Sequence, residues 1–135
     1  MRILRTRKGQ VMIEFVLILG IYLFLIGFMI SGFQIMHNKM VFNISAYEAT
    51  RTAIALNPAN DTYNTSLAIA NANNVLKHAI GVEHVSIDKS ESGEYFTYTV
   101  QGKVKYLFPI INPNGVGSSK DLDISTSFTM RKEKK

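Results

Sequence analysis

Hydrophobic and polar positions along this chain fall into three regimes. From Val11 to Met36 the sequence VMIEFVLILGIYLFLIGFMISGFQIM runs for 26 residues, with Glu14 as its one charged side chain and Ser31 and Gln34 as its other clearly polar members. As a helix this run measures about 39 Å at ~1.5 Å per residue, more than the roughly 30 Å hydrocarbon core of a bilayer. Beyond it, Met36, Met40, Ile44, Tyr47 and Ile54 continue an apolar stripe at spacings of three, four or seven. Pro58, with Asn57 before it, ends the pattern. One helix is therefore expected over residues 10–56, transmembrane over about 11–36 and a stalk over 37–56, with a domain resting on it.

Asn57-Pro58-Ala59-Asn60-Asp61 reads as a turn. Thr62 to Ile80 returns to helical spacing, with Leu67, Ala68, Val75, Leu76 and Ala79 on its apolar side, Asp61 as its cap and Gly81 as its stop. After Gly81 the period changes from 3.6 to 2. Val82 to Lys89 is expected to form a strand with Val85 and Ile87 on one face, and Ser90-Glu91-Ser92-Gly93 a hairpin turn. Tyr95 to Phe108 is rich in aromatics, threonines and valines, and Gly102 within it predicts a bulge or bend. A loop follows from Pro109 to Lys120. The last strand, Leu122 to Met130, alternates Leu122, Ile124, Thr126, Phe128 and Met130 inward against Asp121, Asp123, Ser125 and Ser127 outward. The expected fold class is α+β: a long amino-terminal hydrophobic helix, then a second helix packed on a small antiparallel sheet of about three strands. Residues 57–135 form the small soluble part.

Composition and charge change this picture at three points. The chain of 135 residues has room for one domain once the apolar stretch is set aside. It contains no cysteine, so neither a disulfide nor a thiolate metal site or nucleophile is available. The net charge of +5 would fit a nucleic-acid partner, but Arg2, Arg5, Arg7 and Lys8 supply four positive charges ahead of the apolar run. Without them the protein is nearly neutral, and no nucleic-acid partner is expected. By the positive-inside bias, the same cluster keeps Met1 to Lys8 in the cytoplasm and places everything after about Met36 outside the cytoplasmic membrane.

The apolar run is too long for a secretory signal peptide and offers no small-residue cleavage site. A plain membrane anchor carrying a binding module fits its length. Glu14 fits that reading less well, because a carboxylate inside an apolar stretch is costly and normally has a partner. In RTRKGQVMIEF a basic leader with charges at Arg5, Arg7 and Lys8 ends in Gly9, and a carboxylate stands at the fifth position counted from Gln10. This pattern resembles the prepilin processing site of the type IV pilin superfamily. The resemblance implies a leader over residues 1–9 and cleavage between Gly9 and Gln10 by a prepilin peptidase, with the hydrophobic helix retained. The new α-amino group at Gln10 would be mostly cationic at neutral pH, its pKa being near 8. Glu14, one helical turn on, would then pair with the amine of an adjacent subunit in the bilayer.

The chain as a whole resembles the TadE-like pseudopilins, the minor pilins of tight-adherence (Tad) pilus systems. The resembling segments are RKGQVMIEFVLIL, EATRTAIAL, YLFPI and FTMRKE. The resemblance implies a subunit that initiates, caps or regulates a pilus. It also implies a set of partners: other pilins, the prepilin peptidase, a platform protein, an assembly ATPase and the membrane itself. The expected location is the cytoplasmic (inner) membrane, single-pass, and then the pilus or cell surface.

No residue set points to catalysis or to a cofactor. His37, His78 and His84 lack the i, i+4 spacing of a helical zinc site. Asp121 and Asp123 share a face of an extended strand without the glutamate-terminated loop of a calcium motif, and read as a solvated face. Ser66, Ser90 and Ser127 lack a nucleophile elbow, and GVGSSK lacks phosphate-loop spacing. The chain is therefore read as a non-enzyme. The basic carboxyl-terminal tail from Arg131 to Lys135 is read as solvated.

Overall fold

The computed structural model describes residues 3–55, 61–105 and 121–131, and the side chains of 9–55, 64–105 and 121–131. In chain order these form helix α1 (Ile3–Ala55), helix α2 (Asp61–Leu76) and strands β1 (Val82–Ser92), β2 (Tyr95–Lys105) and β3 (Asp121–Arg131). The strands make one antiparallel sheet in the order β1-β2-β3. The α+β class expected from the pattern is the class observed. The Asn57–Asn60 turn, the YLFPI segment from Tyr106 onward, the Pro109–Lys120 loop and the tail beyond Arg131 lie outside the described residues.

α1 is continuous from Ile3, so its helical backbone runs through Gly9 and Gln10 without a break. α2 is shorter than the expected Thr62–Ile80. It ends at Leu76, after which tight turns from His78 to Val75 and from Ala79 to Leu76 unwind it. Gly81 then takes a left-handed φ of 67°, where a Cβ would stand 3.0 Å from the Lys105 carbonyl and 3.1 Å from Gln34 Nε2. Glycine is required there by both conformation and space.

The first hairpin is tighter than expected. Ser92 pairs with Tyr95 across a two-residue loop, Gly93-Glu94, with Gly93 at φ 57°, so Ser90 to Ser92 belong to β1. The bulge lies in β1 and not at Gly102: Glu83 pairs with Lys103 and Ser86 with Gln101, leaving His84 and Val85 opposite Gly102, with His84 at φ 51°. This extra residue lets Val82 and Ile87, five apart, both reach the core, and it leaves Val85 exposed instead of sharing a face with Ile87. Gly102 stays in unbroken register with Ile124. Its reason is spatial, since a Cβ there would lie 2.8 Å from Phe42 Cζ. In β3 the expected alternation holds from Leu122 onward, with Ile124 buried, Leu122, Thr126, Phe128 and Met130 half-buried, and Asp123, Ser125 and Ser127 exposed, whereas Asp121, expected outward, is half-buried.

The core has two parts. Phe42 and Ala46 of α1 pack on Val100, Val104 and Ile124 of the sheet and on Leu76. Higher up, Ala49 and Ala53 of α1 meet Ala68 and Ala72 of α2, with Tyr98 sealing the group. The alanines let the two helices approach closely, while the sheet supplies the bulk.

Candidate functional site

The side chains that carry chemistry or apolar surface gather on α1, which has two stretches of different exposure. From Gly9 to Ile26 every residue is exposed. Each of these large apolar side chains forgoes about 1.5–3 kcal/mol of burial while it stays in water. The mean hydropathy of the most apolar window is 2.6, and only 6% of that window is covered by the rest of the chain. Such a surface requires lipid or partner helices around it.

Glu14 stands in this stretch, exposed between Ile13 and Phe15, which are 65% and 62% exposed. Gln10 is one turn below it, and residues four apart lie on one helix face. Gly9 and Gln10 are exposed, and nothing lies within 4 Å of a Cβ built at Gly9. Arg5, Arg7 and Lys8 continue the same helix, their side chains lying outside the described set.

From Ser31 upward the domain covers one face of α1, and that face is small or polar. Asn38 makes a paired contact with one residue of the α2–β1 connection: its Nδ2 donates to the Ile80 carbonyl at 2.9 Å, and its Oδ1 accepts from the Ile80 amide at 2.9 Å. Gln34 Nε2 donates to the carbonyls of Lys105 at 2.9 Å and Ile80 at 3.2 Å, and His37 Nε2 donates to the His78 carbonyl at 3.1 Å. Ser45 Oγ donates to the Ala72 carbonyl at 3.1 Å, and Thr50 Oγ1, 2.7 Å from the Ala46 carbonyl of its own helix, lies 3.3 Å from the Phe128 carbonyl. The bonds to His78, Ile80 and Lys105 satisfy backbone groups of the α2–β1 connection and the end of β2, and help fix the height of the domain on the helix. Gln34 and Asn38 were legible as a polar pair four apart at the close of the apolar run, but that signal does not distinguish a polar hook from a polar edge.

The Met36, Met40, Ile44 and Tyr47 stripe is not the face on which the domain rests. Met36 is 73% exposed and Met40 63%, while Tyr47 meets the sheet edge-on at Phe128, 5.3 Å between ring centroids. The stalk therefore presents an apolar face outward, continuous with Phe33 and the span below.

The other sequence candidates scatter. His84 sits in the β1 bulge, away from His37 and His78, and no group of three or more metal-ligating side chains gathers among the described residues. Asp121 and Asp123 stand in register with Lys105 and Lys103 across β2 and β3, where opposite charges face each other. On the same outer face Thr97 and Thr129 share a hydrogen bond at 2.8 Å, and Arg131 donates twice to Glu94 Oε2, at 2.7 and 3.0 Å. That face is a solvated sheet surface.

A family model described as TadE-like protein matches residues 9–51, which takes in the exposed span, the Gln34–Asn38 hook and most of the stalk. No curated protein and no solved structure matches the chain.

Proposed function

We propose that this chain is a minor pilin, cut by a prepilin peptidase between Gly9 and Gln10 and assembled through α1; the TadE-like match over residues 9–51 supports a Tad pilus-associated protein. The observation that carries the reading is Glu14: a lone charged side chain on a helix surface that is otherwise exposed and apolar, one turn from the residue that cleavage would make amino-terminal. In lipid that carboxylate needs a cation, and none lies on α1 between Gln10 and Met36. The α-amino group of Gln10 in a neighbouring subunit supplies one. At an effective dielectric near 20, a pair 4 Å apart is worth about 4 kcal/mol, enough to fix the register of two helices that apolar packing alone would let slide.

The leader charges at Arg5, Arg7 and Lys8 hold the amino terminus in the cytoplasm before the cut, and the domain lies outside the membrane. Once extracted from lipid, the span and the outward face of the stalk bury themselves against other pilins, helped by a platform protein and an assembly ATPase. The role is structural, and the partners are protein helices and membrane.

Mass spectrometry of the amino-terminal peptide, from protein purified out of cells with an active prepilin peptidase, tests this reading. The expected peptide begins at Gln10 with a free amine. Retention of Met1, or a start elsewhere, overturns the pilin reading. A start at Gln10 with loss of ammonia, the mark of a cyclised glutamine, overturns the ion pair while leaving the cleavage intact.

A further inference from the structure

We infer that the connection between α2 and β1 is a membrane-resting foot, with Ile80 inserted into the outer-leaflet interface of the lipid bilayer beside the emerging helix. The inference rests on the reading of α1 as a membrane span and adds a second point of contact to it. A lone exposed isoleucine would need no explanation. Ile80 is different in its setting: 49% exposed, it closes an apolar groove of about 390 Å³ whose other walls are Met29, Ile30, Phe33, Gln34 and His37. Three of those walls are the top turns of the apolar span, so the groove continues the lipid-facing surface of α1 sideways onto the domain.

Its height agrees. The 20 residues from Val11 to Ile30 rise about 30 Å, the thickness of a bilayer core. Met29 and Ile30 then reach the outer end of the hydrocarbon, and Phe33 to His37 occupy the next turn or two, at headgroup level. Ile80 cannot rotate away from that level, because Asn38 holds both its amide and its carbonyl at 2.9 Å and Gln34 holds the carbonyl again. Lys77, exposed on the same connection, donates from Nζ to Asn74 Oδ1 at 2.9 Å. Seating the foot would bury Ile80 and set the tilt of the domain on the membrane.

The chain has neither tryptophan nor cysteine, so single reporters can be introduced cleanly. Full-length Ile80→Trp, Phe24→Trp and Tyr95→Trp variants are placed in nanodiscs of phosphatidylethanolamine and phosphatidylglycerol, some of whose lipids carry bromine on the acyl chain near the glycerol. Phe24 lies mid-span, and Tyr95 opens β2 at the first hairpin. The expected result is blue-shifted emission and quenching at positions 80 and 24, with water-like, unquenched emission at 95. Should Ile80→Trp unfold the domain, Ile80→Cys with a nitroxide label and oxygen-accessibility measurement replaces it. A water-like reporter at 80 beside a lipid-like one at 24 overturns the foot alone. Water-like reporters at both positions overturn the membrane reading, and the foot with it. Equal quenching at 80 and 95 also overturns the foot, since the domain would then lie on its side.

Discussion

Residues 9–30 and 31–55 of α1 are one unbroken helix whose two stretches meet different surroundings. In the lower stretch apolar side chains point in every direction and nothing in the chain covers them. In the upper stretch the domain covers a face made of Ser31, Gln34, Asn38, Phe42, Ser45, Ala46, Ala49 and Thr50, while Met36, Met40 and Ile44 stay outside. Most of the large apolar residues of this helix are thus left exposed by the chain's own fold. The intramolecular seam instead uses small side chains that allow close approach and hydroxyls and amides that reach backbone carbonyls. Each such bond contributes about 1 kcal/mol net, and leaving its partner unsatisfied costs more. One helix therefore carries an interior surface for its own domain and an exposed apolar one.

Glu14→Gln breaks the comparison at its most consequential point. It removes the charge from the exterior surface and leaves the interior one untouched. The expected outcome is near-complete loss of the subunit from sheared pilus fractions, read by immunoblot, while its amount in the membrane and its amino terminus at Gln10 are unchanged. Wild-type assembly by this variant would favour the alternative, a single-pass anchor bearing a binding module.

Two neighbours on α1 sharpen the contrast in stability. Phe42 is fully buried against the sheet and Met40, two residues earlier, is 63% exposed. Phe42→Ala should cost about 3–5 kcal/mol. Met40→Ala should fall within about 0.5 kcal/mol, because the side chain is mostly exposed. Chemical denaturation of the detergent-solubilised full chain, followed by circular dichroism, measures both. A large loss at Met40 would mean that the outward face also stabilises the isolated fold.

Gly102→Ala probes the same seam from the sheet. A methyl group 2.8 Å from the Phe42 ring must displace the ring or the strand, which should cost about 1–3 kcal/mol. Adding Phe42→Leu to Gly102→Ala should recover part of the loss relative to the sum of the single changes, since the two residues are in contact. Strict additivity in a double-mutant cycle would show that the glycine serves the backbone and not the ring.

The sheet was largely legible in the sequence, because one face meets core and the other water. The alternation from Leu122 to Met130 carries through to β3 for that reason. What local pattern missed is where tertiary contact overrides it. The β1 bulge at His84–Val85 arises because Val82 and Ile87 must both face inward, and no turn residue marks the place. The helix-to-strand connection starts early, after Leu76, because Ile80 is drawn to Asn38, a partner 42 positions away. The domain-facing side of α1 was hidden for a related reason: its serines, amides and alanines do not read as a core face, whereas the methionine stripe does. Glu14 stands out because it breaks the composition of the apolar run, whereas Gly9 and Gln10 are marked only by the resemblance to a prepilin processing site.

The smallest expected effect belongs to the wet face of the sheet, which neither surface of α1 touches. Lys105 Nζ donates to Glu83 Oε1 at 2.7 Å, tying β2 to β1 beside the bulge. That hydrogen bond, with the Lys105 charge and a contribution from His84, holds the Glu83 carboxyl below its ordinary value, desolvation pulling the other way. The same hydrogen bond and charge raise Lys105. A lowered carboxyl contributes stability in full above its unfolded pKa and loses it as pH falls through the folded value, so the acid loss lies below about pH 4.3. A raised lysine contributes in full below its unfolded pKa and loses that as pH rises through the folded value, above about pH 10.4. Between these limits the pair is fully charged, but both groups are exposed and screening keeps the contribution slight. Glu83→Gln should therefore lower Tm a little at neutral pH, and the difference should close as acid protonates the wild-type carboxyl and shrink as salt is added. A Tm difference that persists in acid and high salt would assign the role of Glu83 to packing at the bulge instead of to charge.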